Sequence, residues 1–281
     1  MILVTGAEGF IGSNVCNLIN PSRLIKWDLE GGRKTLIKNI DDRVEAIIHM
    51  GAISSTQEAN TAKLADLNIL SSAELLEYAT EKGIPFVYAS SASVYGLGTR
   101  GFAESVEMNP MNYYAISKAS FDMFVLQKIK DNPNCKVVGL RYFNVYGPGE
   151  NNKGNMASPV HKFYEQAKDC GKIQIFEGSD KYRRDFISVQ DVAEITLEAI
   201  NFSQSGIYNV GTGITRSFLE VAEIIASLTK SDIEVIPFPE NLVDKYQEFT
   251  KSDNSKLLSQ HEHSFLSLEE GVQKFINMRH R

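Results

Sequence analysis

Five short runs in the first half of the chain are apolar at nearly every position: Ile2-Leu3-Val4, Leu24-Ile25-Lys26-Trp27, Ala46-Ile47-Ile48-His49, Phe86-Val87-Tyr88-Ala89 and Lys136-Val137-Val138-Gly139-Leu140. Strands covered on both faces have this pattern, so the runs predict a buried parallel sheet. Between them, Gly12 to Ile19, Asn68 to Lys82 and Tyr113 to Ile129 carry apolar residues at helical spacing. Strand alternating with helix predicts βαβ units, hence an α/β, doubly wound fold. After Pro148 the texture changes to Gly, Asn and Lys in GPGENNKGN, then to shorter segments with turns at Glu177-Gly178-Ser179 and Gly211-Thr212-Gly213. This predicts a first domain over 1–150 and a smaller lobe over 151–281, with segments that interleave. Ligands of doubly wound sheets bind outside the carboxyl ends of the strands, so the lobe is expected to cover a substrate there.

The first strand runs straight into Gly6-Ala7-Glu8-Gly9-Phe10-Ile11-Gly12, which opens the first helix. Between a strand and a helix such a loop lets the backbone approach a pyrophosphate at the helix N-terminus. The sheet is therefore expected to be Rossmann-type, with Gly6, Gly9 and Gly12 on a nicotinamide dinucleotide. Asp28 ends the next strand, where a carboxylate can bond a ribose 2′-hydroxyl and favour NAD. Arg33 and Lys34 follow, and either is placed to neutralise the 2′-phosphate of NADP or simply to sit in a solvated loop. The residues leave NADP and NAD both open.

Tyr114 and Lys118 lie at i and i+4 on a predicted helix, one above the other on the same face. A phenol titrates near 10, so a base at neutral pH needs help. A neighbouring ammonium is expected to lower the Tyr114 pKa and let it take a proton as hydride leaves a substrate carbon. Lys118 is also placed to hold the nicotinamide ribose. A serine in Ser90-Ser91-Ala92-Ser93, just past a central strand, can steady the developing alkoxide or merely cap the following turn.

Bulk properties narrow the picture further. The 281 residues are 43% hydrophobic, enough for a full core, and carry a net charge of −6. An acidic balance argues against a broad nucleic-acid footprint. No apolar run approaches the ~20 residues of a membrane span, so no membrane partner is expected. Cys16, Cys135 and Cys170 include no CxxC pair, which argues against disulfides or a metal knuckle and suits a reducing cytoplasm. The N-terminus lacks the basic region of a signal peptide.

The glycine loop, YASSASVYG, YYAISK and LRYFNVYGPG, in this order and spacing, resemble the extended short-chain dehydrogenase/reductase family of nucleotide-sugar enzymes over nearly the whole chain. The segments KGNMAS at 153–158, FEGS at 176–179, RRDF at 183–186 and IPFP at 236–239 leading to Tyr246-Gln247 resemble its ADP-L-glycero-D-manno-heptose 6-epimerase branch. That resemblance implies C6″ epimerisation of ADP-heptose by transient oxidation, with two acid/base groups serving two orientations of the sugar. By motif match these are Tyr114 and Lys153, with Ser91 as the catalytic serine. The match further implies that Phe10, Ile11, Gly51, Ala52, Ser54, Asn68 and Val145 contact cofactor. It implies that Asn144, Asn155, Lys162, Phe176, Glu177, Gly178, Ser179, Arg184 and Tyr246 contact substrate, in a homo-oligomer of five subunits.

Three departures stand out. The segment between 29 and 46 is shortened, as though a strand and its helix were missing; Leu29 replaces a polar residue; and Lys162 stands where a histidine is expected, beside His161. Arg184 has a competing reading, as an ion pair with Asp185. Lys153 has one as a loop lysine touching only phosphate or solvent. Two other functions compete with the heptose reading: another UDP- or GDP-sugar epimerase or dehydratase, and a non-catalytic dinucleotide binder. A dehydratase is expected to carry an acidic pair after the serine, where this chain has SASVYG.

Overall fold

The computed structural model describes residues 1–28, 37, 40–97, 101–239 and 247–279. The main sheet is six-stranded and all parallel, of order β2-β1-β3-β4-β5-β9. Its strands are β1 (Ile2–Thr5), β2 (Leu24–Trp27), β3 (Ala46–His49), β4 (Phe86–Ser91), β5 (Val137–Tyr142) and β9 (Gly206–Val210). Every residue of β1, β3 and β5 is buried, as the unbroken apolar runs require. Strand β9 comes from the second half of the chain and completes the sheet beside β5. Among the described residues β2 has one strand neighbour, β1, and most of the shortened segment after Asp28 lies outside the described residues.

Helices cover both faces. Helix α1 (Phe10–Leu18) packs against α6 (Val189–Glu198) on one side. On the other lie α3 (Ser71–Lys82) and α4 (Tyr113–Asp131). The helical pattern expected from Asn68 begins earlier, as α2 (Thr61–Leu64), and passes through a π-helical turn (Ala65–Leu70) into α3. Such a turn admits one extra residue per winding, which a simple 3.6-residue period does not reveal. It buries Asn68 completely enough that its amide holds both backbone groups of Ile53, at 2.8 and 3.0 Å.

Two smaller sheets lie apart from the main one. One has order β10-β8-β6, from β10 (Thr215–Ser217), β8 (Arg183–Ser188) and β6 (Asn144–Tyr146). The other pairs β11 (Asp232–Ile236) with β7 (Lys172–Phe176) in parallel. Helices α5 (Pro159–Cys170), α7 (Phe218–Thr229) and α9 (Leu268–Arg279) pack around them, while α8 (Ser255–Gln260) lies against β9. Capping explains two of these starts: Ser158 accepts from His161 at α5, and Ser217 with Glu220 forms a reciprocal capping box at α7. Because β1 connects to β2 on one side and the chain then returns to β3 on the other, strand order reverses at β1, and a crevice opens at the carboxyl ends there. Among the described residues no helix is long and apolar enough to cross a membrane. The three cysteines are free thiols.

Candidate active site

A cleft of about 380 Å³ lies at that crevice. Its floor is the glycine loop. Gly6 adopts φ +65°, and a Cβ on Gly12 would stand 2.0 Å from the Gly6 carbonyl oxygen, so the turn and the helix start admit no larger side chain. Helix α1 begins there with Gly9 as its cap, no side chain bonded to its first amides and no acidic residue in its first turn. Open amides at a positive helix end form a ready anion site. Asp28 accepts from the Glu8 amide at 2.9 Å, which puts its carboxylate beside the loop at the end of β2. These features fit a dinucleotide with its pyrophosphate over α1. Lys34, with Arg33, lies outside the described residues, as does Tyr246.

Tyr114, Lys118, Ser91, Asn144, Val145 and Lys153 all line this cleft, together with Phe10, Ile11, Ala52 and Ser54. Gly51 is close behind, within reach of a Cβ built on Gly6. Asn68 does not line it; it ties Ile53 and donates to Ser117 at 3.0 Å, behind the wall. Helix α4 is positioned by the Asn112 side chain, which caps it by accepting from Ala115 at 2.8 Å. Tyr114 and Lys118 are buried on its inner face. The Ser91 hydroxyl lies beside the Tyr114 phenol, close enough to favour its ionised form. This sets Ser91 apart from its neighbours, since Ser90 and Ser93 have buried hydroxyls with no hydrogen-bond partner at the same cleft. Orphaned buried hydroxyls fit a site completed by a polar ligand.

The expected effect of Lys118 on Tyr114 is not what the structure shows. Burial pushes the Tyr114 phenol above 10, the Ser91 hydroxyl opposes this, and Asp122 adds to it. The Lys118 ammonium instead donates to the Ala89 carbonyl at 2.8 Å. Helical stacking brings the two side chains onto one face but does not aim the ammonium at the phenol. Burial also depresses Lys118, to about 8, against the attraction of Asp122. On the other side of the cleft Lys153 sits with its Nζ 4.7 Å from the centre of the Phe10 ring, and burial lowers its pKa too.

Among the described residues, the others matched to substrate (Asn155, Lys162, Phe176, Glu177, Gly178, Ser179 and Arg184) do not line the cleft. Lys162 is exposed and donates to the Asn155 carbonyl at 2.7 Å. Phe176 packs edge-on against Phe238, with ring centres 5.6 Å apart. Glu177 donates its amide to Ile236, and Gly178 takes φ +80° in the turn that lets the Ser179 hydroxyl reach the Phe176 carbonyl at 2.6 Å. Arg184 is buried, donates to the carbonyls of Arg183 and Gln247, and lies over the Phe218 ring. Its neighbour Asp185 is engaged elsewhere, accepting from Thr212, Gly213 and Ser252. The Asp185 carboxylate is thus held by backbone and hydroxyl donors rather than by Arg184.

A model of the NAD-dependent epimerase/dehydratase family matches residues 2–211. The chain belongs to that family. Among solved structures it is similar to the ADP-L-glycero-D-manno-heptose-6-epimerase of Helicobacter pylori, at 28% identity over 99% of this chain and 96% of that one, with a TM-score of 0.85. It is also similar to the UDP-glucose 4-epimerase of Thermotoga maritima, at 26% identity over 99% and 98% of the two chains and a TM-score of 0.84. The UDP-N-acetylglucosamine 4-epimerase of Methanobrevibacter ruminantium matches at 25% identity, over 99% and 98%, with a TM-score of 0.81.

For a member of this family, the structure adds cleft residues that sequence reasoning passed over. Met50, Thr56, Tyr142 and Met156 line the walls, and Glu150 lies buried behind Lys153. Glu150 had a visible signal, as the single acid in a Gly/Asn-rich loop otherwise made for turning.

The buried ammonium of Lys118 has a measurable consequence. Between about pH 8 and the ordinary lysine value of 10.5 the unfolded chain holds a proton that the folded site has lost. Stability of the cofactor-free protein therefore rises with pH through that window, on the order of 3 kcal/mol for this group alone. Urea unfolding of wild type and Lys118→Met at pH 8 and pH 10 isolates it: the rise seen in wild type is expected to shrink in the variant. An equal rise in both proteins counts against a depressed Lys118.

Proposed function

We propose that this chain epimerises ADP-D-glycero-D-manno-heptose at C6″, through transient oxidation by a bound NADP or NAD. The observation that carries the reading is the pairing of two proton-exchanging groups in one cleft: Tyr114 from α4 and Lys153 from the loop before α5. A nicotinamide dinucleotide held over the Gly6–Gly12 loop would supply hydride acceptance and return at the sugar carbon. The chain's own residues then have three tasks. Ser91, beside the Tyr114 phenol, holds the reacting oxygen. Tyr114 exchanges the hydroxyl proton in one orientation of the sugar. Lys153, its pKa lowered by burial, does so in the other. The buried guanidinium of Arg184 suits a diphosphate, and the aromatic cluster of Phe176, Tyr182 and Phe238 gives the lobe an apolar surface for a base.

Similarity to the Helicobacter pylori enzyme, together with the KGNMAS and FEGS segments, supports the heptose. Similarity to two UDP-sugar 4-epimerases at nearly equal identity supports a second reading, a UDP-hexose substrate. The test is incubation of purified protein with ADP-D-glycero-D-manno-heptose and, in parallel, with UDP-glucose and UDP-N-acetylglucosamine, followed by chromatographic separation of epimers. Conversion of the heptose without added cofactor is expected. Conversion of a UDP-sugar alone, or of nothing with both dinucleotides supplied, sinks the heptose assignment.

A further inference from the structure

Glu150 is fully buried, and every partner of its carboxylate is an N–H or O–H group of its own loop. One oxygen accepts from the Gly147 amide at 3.0 Å and the Ser158 hydroxyl at 2.8 Å. The other accepts from the Ser158 amide at 2.6 Å. Gly147 and Ser158 are the two ends of the loop that carries Lys153. The same Ser158 hydroxyl accepts from His161 at 3.2 Å and so caps α5. From the other side, the Asn14 amide on α1 donates to the Pro148 carbonyl at 3.0 Å and to the Phe10 carbonyl at 2.8 Å, joining the loop to the helix whose Phe10 ring meets Lys153.

A buried carboxylate without a bonded cation needs hydrogen-bond donors, and Gly147 and Ser158 supply them. A neutral amide cannot replace it. Glutamine offers one acceptor oxygen and turns an NH₂ toward donors, so one end of the loop would lose its acceptor.

We infer that Glu150 is the positioning residue for Lys153: its carboxylate clasps the loop at Gly147 and Ser158 and fixes where the ammonium meets the cleft. The inference rests on the proposed reading of Lys153 as a proton-exchanging group. The groups facing Lys153 are few. Phe10 comes from α1, Glu150 from its own loop and His161 from α5, with Arg279 of α9 against His161 Nδ1 at 3.0 Å; Tyr114 and Lys118 line the same cleft from α4. Glu150 is the anion among them and favours the protonated lysine, while burial disfavours it.

The test is amine labelling of the full-length protein as purified, with acetic anhydride across pH 6–11, reading Lys153 and Lys118 separately by mass spectrometry. In Glu150→Gln the labelling midpoint of Lys153 is expected to fall by roughly one pH unit, with that of Lys118 unchanged. Turnover is expected to fall about 10²-fold, as for a catalytic group displaced by an ångström, with KM near wild type. A purely structural role lowers the melting temperature and leaves the Lys153 midpoint in place, and that result overturns the inference. Should Glu150→Gln fail to fold, Glu150→Asp keeps the anion but shortens its reach. It is then expected to lose turnover with the midpoint unmoved, and wild-type turnover in that variant overturns the inference. The label is read without substrate, so a protein inactive on heptose even as wild type counts against the substrate reading and leaves the labelling result standing.

Discussion

Replacing Tyr114 with phenylalanine is expected to lower turnover by about 10²–10⁴-fold, the usual contribution of a positioned acid/base group. Dinucleotide binding and melting temperature should stay near wild type. The ring is buried on the inner face of α4, and phenylalanine fills the same space, so packing is preserved. What is lost is one hydroxyl, beside Ser91 in the cleft. In the free protein burial makes the phenolate unfavourable, so the work of ionising Tyr114 falls to charge that arrives with ligand. That assigns the loss to kcat rather than to binding. Steady-state kinetics beside a fluorescence titration of dinucleotide check it. Turnover within threefold of wild type removes Tyr114 from the chemistry.

The largest stability effect is expected at Arg141, on β5 beneath the Tyr114/Lys118 face. Its guanidinium is 2% exposed and donates to Asp122, itself 0% exposed, at 2.8 Å. A second nitrogen donates to the Tyr95 hydroxyl at 2.9 Å, and Tyr88 donates to the other Asp122 oxygen at 2.8 Å. Tyr95 in turn donates to Asn209 on β9 at 2.7 Å, so the network ties α4, β4, β5 and β9 together. Arg141→Met leaves Asp122 as a buried, uncompensated charge, and breaking such a pair costs about 3–5 kcal/mol. Replacing both partners with apolar residues of similar volume is expected to recover much of that loss, because the cost lies in the orphaned carboxylate. Urea unfolding of Arg141→Met and of Arg141→Met/Asp122→Leu distinguishes the two. Equal destabilisation in both argues that packing, not charge, dominates.

The sheet was legible because burial on both faces leaves its mark on every residue of β1, β3 and β5, and such brief runs, broken by turn residues, are too short for a buried helix. The glycine loop was legible for a similar reason: its conformation excludes a Cβ at Gly12, so sequence and backbone carry the same information. The π-helical turn at Ala65–Leu70 was not, since it follows from tertiary contacts of Asn68 rather than from local propensity. Nor was the direction of Lys118. Spacing sets which face a side chain shares, but the Ala89 carbonyl that captures the ammonium lies 29 residues away in sequence. Glu150 illustrates the same limit, with its charge visible in the loop but its role as a clasp apparent only once Gly147 and Ser158 are seen to converge on it.

The central claim, that a sugar carbon is oxidised and reduced again within this one cleft, is tested most directly with ADP-heptose deuterated at C6″. Mass spectrometry and proton NMR of both epimers after turnover in ordinary water are expected to show the deuterium retained at C6″, because the hydride leaves and returns to the same carbon without meeting solvent. Loss of deuterium to water at the rate of epimerisation would mean proton abstraction from carbon instead, and would contradict the account.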